Sequence, residues 1–185
     1  MNRIKVRELM TPLTEYATVS AEATLSEAVL ALEQAQAKVD QDREKHKAVL
    51  VFDADDHIIG KLSQWDIIKG LEPNYKKIGE FHESSRYGFT TDFIRSMLTN
   101  YDLWRKPLED ICKKAAAVTV REIMSTPGPG EYVEADATLN EAIHQLVVGQ
   151  HASLLVTEGS KIVGILRLSD VFKEVCDRIK ACKMA

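Results

Sequence analysis

"IIGKLSQWDIIKGL", residues 58–71, and "IVGILRLSDVFKEV", residues 162–175, are one pattern written twice in a chain of 185 residues. Each has two aliphatic residues, a glycine, a leucine two residues on, an aspartate four after that, two apolar residues, and a lysine three after the aspartate. Outward from this stretch the repetition continues. "KAVLVFDADDHIIGKL" (47–62) returns as "HASLLVTEGSKIVGIL" (151–166), at an offset of 104. "ATLSEAV" (23–29) returns as "ATLNEAI" (137–143), and "VRELM" (6–10) as "VREIM" (120–124), both at 114. Ten extra residues are therefore expected in the first copy, between Leu32 and His46. Three blocks recurring in order mark an internal repeat.

The local grammar of each copy is the same. Thr24 to Glu27 and Thr138 to Glu141 both read T-x-x-E, a reciprocal box that caps a helix start. Leu25, Ala28, Val29 and Leu32 then share one helical face, as do Leu139, Ala142, Ile143 and Leu146. Gly149 is the expected stop of the second helix, while the first runs on into "EQAQAKVDQDREK". Next come "AVLVF" or "SLLV", a turn, and "IIGKL" or "IVGIL", which make a β-hairpin. A helix follows each aspartate. One strand-helix-strand-strand-helix unit is too small for a core of its own, but two stacked copies bury a shared one.

Composition narrows the function. The chain is 45% hydrophobic and 28% charged, as an ordinary globular protein is. A net charge of −4 argues against a general nucleic-acid binder. No apolar run is long enough to span a bilayer, and "MNRIKVRELM" lacks a signal-peptide core, so a cytoplasmic protein is expected. Cys112, Cys176 and Cys182 form no CxxC, and the five histidines form no ligand cluster with them. No metal site and no cofactor are expected. Neither a nucleophile–base pair nor a paired acidic motif is present, so the chain is not read as an enzyme.

The paired units, the "xxIM" leader, the "ATLxEA" helix start and the G-h-h-x-x-x-D strand-to-helix turn resemble a tandem CBS-domain pair, the Bateman module. The likeness covers Val6 to Gly70 and Val120 to about Val175. It implies an α+β fold in which two β-α-β-β-α repeats pack about a pseudo-two-fold axis. Residues 1–70 and 120–185 would be the repeats, and 71–119 a helical insert. It also implies a non-catalytic regulatory module that binds an adenosine-containing ligand, namely AMP, ADP, ATP or S-adenosylmethionine, and signals to a regulated protein partner. Homodimers stacked through helical faces are implied as well. In the family an aspartate after the second hairpin strand receives the ribose hydroxyls, and a Ser or Thr three residues earlier supports ribose or phosphate. Asp66 with Ser63 matches this. In the second copy Asp170 is present, but Arg167 replaces the hydroxyl, to meet a phosphate or to block the site. The remaining positions implied are Thr18, Val19, Lys47 and Ala48, with Tyr132, Val133, His151 and Ala152. His46 and Lys47 would face phosphates.

Elementary chemistry agrees with a nucleotide. One carboxylate can accept from both hydroxyls of a ribose, and a helix N-terminus fixes its aim. The plainer alternative is that S-x-x-D simply caps a helix. Trp65 is expected to pack, and "STPGPGEY" (125–132) to be a rigid connector. The segment 71–119 holds seven of the chain's twelve aromatics, too many for a disordered tether. Phe93, Ile94, Met97 and Leu98 share a helical face there, and Pro107 suits the first turn of another helix. These helices either pack on their own module or form an interface. Apolar residues at Ile67, Ile68 and Leu71, and at Val171, Phe172, Val175 and Ile179, support self-association. A different function is assembly or scaffolding with vestigial pockets.

Overall fold

The computed structural model describes residues 4–38, 47–78, 89–104 and 109–182. The first repeat is β2 (Thr18–Ser20), α1 (Leu25–Lys38), β3 (Ala48–Phe52), β4 (Ile58–Ser63) and α2 (Gln64–Leu71). The second is β5 (Tyr132–Glu134), α6 (Leu139–Gly149), β6 (Ser153–Glu158), β7 (Lys161–Arg167) and α7 (Leu168–Cys182). In each, a short strand runs parallel to the first hairpin strand, which pairs antiparallel with the second. This is the expected α+β arrangement of two like units. The T-x-x-E boxes form as read. The Thr24 amide donates to Glu27 at 2.7 Å and the Thr138 amide to Glu141 at 2.7 Å.

The leaders are exchanged. A two-residue strand β1 (Thr11–Pro12), following the Val6–Glu8 turn, pairs with β7 of the second repeat. The short helix α5 (Val120–Ile123) docks on the first repeat, and Ser125 bridges to Lys61 of β4. The contacts repeat one for one. Val6 N–H donates to Ala137 O and Val120 N–H to Ala23 O, while Arg7 N–H reaches Ala135 O and Arg121 N–H reaches Ala21 O. Arg7 pairs with Asp136 and Arg121 with Glu22, each exposed and worth under about 1 kcal/mol. The buried side chains of Val6 and Val120 complete the core of the opposite repeat. A third cluster of Tyr16, Leu50, Leu155 and Ile165 joins the two sheets.

Gly60 and Gly164, the glycines of the repeated stretch, are explained by this crossing. A Cβ on Gly164 would lie 2.6 Å from Thr11 O, and one on Gly60 2.7 Å from Met124 Sδ. A larger residue would force the first leader's backbone away at Gly164, and at Gly60 it would displace chiefly the Met124 side chain.

Two expectations are corrected, and a third is refined. The extra residues do not all lie between Leu32 and His46. Ala48 pairs with Ser63 and Ser153 with Arg167, which puts β3 and β6 at an offset of 105. Nine extra residues therefore precede β3, and the tenth sits in the hairpin turn. The helix α6 does end at Gly149, as expected, but the left-handed cap residue is the next one, Gln150, at φ 51°. The His151 ring passes over Gly149, 2.1 Å from where a Cβ would stand, so a larger residue there would have to displace the imidazole. Trp65 does not pack: it is 77% exposed, since α2 turns Ile67 inward and leaves Trp65 and Ile68 outside.

In the insert, α4 (Glu109–Ala117) packs on α1 and α2, with Ala115 against the first core. Helix α3 (Thr91–Asn100) buries no residue. Phe93, Ile94 and Leu98 of its predicted apolar face are exposed, and Phe89 stacks on Phe93. Pro107 lies outside the described residues. Among the described residues no helix is long and apolar enough to cross a membrane.

Candidate functional site

Asp66 and Asp170 occupy corresponding positions, six residues after the glycine and inside the first turn of α2 and α7. Ser63 ends β4 and caps α2, its Oγ accepting from Asp66 N–H at 3.2 Å. In return Asp66 Oδ2 accepts from Ser63 N–H at 2.8 Å and Ser63 Oγ at 2.6 Å. The capping role of S-x-x-D is thus fulfilled. It engages one carboxylate oxygen and holds the other outward. That second oxygen, Oδ1, accepts from Ser125 Oγ at 3.0 Å. A rotatable neutral hydroxyl is readily exchanged for another hydroxyl.

Ser125 belongs to the second repeat's leader, so the connector over Asp66 comes from the other half of the chain. The same connector carries Glu131, whose carboxylate pairs with Lys61 Nζ while also accepting from Gly128 N–H. Lys61 lies two residues before Ser63 on β4 and hence on the same face. Burial works against the charge of Glu131, but the Lys61 hydrogen bond and the Gly128 amide outweigh it and hold the carboxyl below its usual range. His151 lies nearby, its Nε2 3.6 Å from the site of a Gly130 Cβ. Gln145 Nε2 donates to Gly130 O and Tyr132 O and fixes the connector to α6.

The second position differs. Arg167 Nε donates to Asp170 Oδ2 at 2.6 Å and its Nη2 to Oδ1 at 2.6 Å. Tyr16 is buried against Leu155 and Ile165 beside this pair. Burial raises its phenol to about 12, with Arg167 lowering it and Asp170 raising it.

The other expected positions divide. Val19 and Val133 are core residues of their repeats. Thr18, Lys47, Tyr132 and Ala152 are exposed, and Ala48 and His151 half-buried. His46 lies outside the described residues. Lys61 was not anticipated, and neither Ser125 nor Glu131 was singled out within the 125–132 connector, which the family resemblance implies as a pocket lining. Lys61 and Glu131 are 70 residues apart, and only the leader exchange brings them together. Asp53, Asp55 and His57 crowd the first hairpin turn, where Asp53 Oδ1 accepts from the amides of the other two and so builds the turn.

The CBS-domain family model matches residues 6–73 and 120–177. No curated protein matches the chain. Among solved structures, a CBS domain-containing protein of unknown function from Bacillus anthracis aligns at a TM-score of 0.62 and 17% identity, over 95% of each chain. The CBS domain of a bacterial CNNM/CorC family Mg2+ transporter, solved with ATP, aligns at 0.59 and 18%, over 95% of this chain and 89% of that one. The CBSX2 protein, solved with AMP, aligns at 0.58 and 17%, over 94% and 97%. At these identities the structures speak for the fold. With the model matching both repeats, and with the repeats interlocked as like units, the chain belongs to the CBS-domain family as a tandem pair.

Proposed function

We propose that this CBS pair is a non-catalytic regulatory module. It binds an adenosine-containing ligand of the AMP, ADP or ATP class at the Asp66 site and reports it to a protein partner in the cytoplasm. The observation that carries this is the Asp66 carboxylate. One of its oxygens is locked by Ser63, and the other is presented to an exchangeable hydroxyl. The ribose would take the place of the Ser125 hydroxyl, and Lys47 with His46 would meet phosphate. The ATP and AMP complexes of two similar folds support this ligand class.

Calorimetry with AMP and ATP tests it: Asp66→Ala should weaken binding far more than Asp170→Ala. A thermal shift should accompany binding, since a ligand at a hundred times its dissociation constant adds about 2.7 kcal/mol. No shift with AMP, ADP, ATP or S-adenosylmethionine would defeat the proposal.

One observation favours an assembly role, alone or beside sensing. Trp65, Ile68, Leu168 and Phe172 are exposed on α2 and α7, although Ile67 and Val171 of the same helices are buried in the cores. A homodimer through these helices would cover them. Light scattering should then give about twice the 20.7 kDa of the chain. A monomer with and without nucleotide would exclude it.

A further inference from the structure

The two repeats place an aspartate at the same point of the fold, yet surround it differently. β4 ends at Ser63, opposite Ala48, and β7 ends at Arg167, opposite Ser153. Ser63 and Arg167 are thus one position occupied by two residues. At Asp66 the neighbour is a small neutral hydroxyl that leaves Oδ1 to Ser125. At Asp170 a guanidinium fork takes both oxygens, each at 2.6 Å. Such bidentate, charge-assisted pairs are the strong hydrogen bonds of proteins. This one is largely enclosed, with side-chain exposures of 10% for Arg167 and 19% for Asp170.

A ribose reaching Asp170 would have to replace that fork with two neutral hydroxyls. It would also leave the enclosed guanidinium without its counter-charge, which is the costly way to break such a pair. Bulk works in the same direction. The segment leading into β2 crosses to the second repeat and carries Tyr16 two residues before the strand. The segment leading into β5 crosses to the first repeat and has Gly130 there. Tyr16 is 7% exposed and sits against Ile165, beside the Arg167–Asp170 pair, whereas Gly130 contributes no side chain near Asp66.

We infer that Arg167, aided by Tyr16, closes the second of the two repeat-related sites, so that the chain holds one adenosine-class ligand, at Asp66, rather than two. This rests on the nucleotide reading above. Arg167 is then the determinant of stoichiometry, acting by occupying the carboxylate that a ribose needs.

The test is calorimetry of the full chain with AMP and with ATP, on the wild type, Arg167→Ser and Asp66→Asn. The inference expects one ligand per chain in the wild type, two in Arg167→Ser, and none in Asp66→Asn. Asp66→Asn leaves the second repeat untouched, so it decides the matter even if Arg167→Ser fails to fold. Two ligands in the wild type, or one surviving in Asp66→Asn, would overturn the inference while keeping the nucleotide reading. An unbound wild type with one ligand in Arg167→Ser would keep Arg167 as the block on the second site but overturn the count of one and the reading for Asp66. No binding in either of these two proteins would overturn both.

Discussion

Adding a single methyl group to each repeated glycine should separate two leader crossings that look equivalent in sequence. At Gly164 an alanine Cβ would stand 2.6 Å from Thr11 O and 3.0 Å from Met10 Sδ. Ordinary contact begins at 3.4 Å, so the leader backbone must retreat by about 0.8 Å. That movement strains the pairing of Thr11 with Ile165 and of Pro12 with Gly164, the whole of β1. At Gly60 the nearest atom, at 2.7 Å, is Met124 Sδ, the far part of a flexible side chain, and the backbone atom Ser125 O is 3.1 Å away. A rotation of Met124 and a shift of about 0.3 Å accommodate the methyl. Overpacking costs about 1–3 kcal/mol, and a weakened hydrogen bond about 0.5–1.5 kcal/mol more. Alanine recovers about 0.5–1 kcal/mol of backbone entropy at either site. Gly164→Ala should therefore lose about 2 kcal/mol and Gly60→Ala less than about 1 kcal/mol. Urea unfolding reads the difference as a midpoint roughly 0.5 M lower for Gly164→Ala than for Gly60→Ala. Equal midpoints, or the reverse order, would refute the claim that the first leader is held by its backbone against β7.

The Lys61–Glu131 pair should make stability depend on acid. The folded-state carboxyl lies below its ordinary 4.5, so its contribution is present above that pH and lost as pH falls through the folded value. Glu131→Gln should be less stable than wild type at pH 7, and the gap should close as pH falls below 4.5 and through the folded value in thermal melts; a constant gap would assign the loss to shape. Glu72 is buried and accepts from the amides of Asn74 and Trp104, at 3.1 and 2.8 Å. Glu72→Ala should free the end of the insert at a cost of about 1–3 kcal/mol, seen as a red-shifted Trp104 emission and faster amide exchange there; unchanged exchange would show the insert is held elsewhere. Lys47→Ala should weaken ATP and AMP but spare adenosine in calorimetry, and an equal loss for all three would make Lys47 a structural residue.

Elements were legible where the repeat supplied two independent copies of one signal. The T-x-x-E starts, the hairpins and the helices after each aspartate all formed as read. Which core each leader completes was not legible. "VRELM" and "VREIM" carry the same apolar residues, and either repeat offers them the same groove. The single extra residue in the first hairpin turn was concealed because an ungapped alignment still matches apolar to apolar. At the site, Ser63 and Asp66 were readable because a local box needs only a spacing of three. Ser125, Lys61 and Glu131 were not, since their meeting depends on the exchange. The exposure of Trp65 was not legible because helix α2 is only eight residues long, with Trp65, Ile67 and Ile68 all apolar within one turn, and the sequence does not say which of them turns inward.

The exchange of leaders has a consequence for symmetry. In this fold each leader completes the other repeat's core, so a lone repeat built the same way would lend its leader to an identical chain and form a pair clasped around a two-fold axis. Two identical chains must have identical sites. Here the pair is joined end to end in one polypeptide, which releases that constraint. A serine and an arginine, a lysine and an isoleucine, a glycine and a tyrosine can face each other across the pseudo-axis. Covalent fusion is what permits a symmetric clasp to hold two unlike sites.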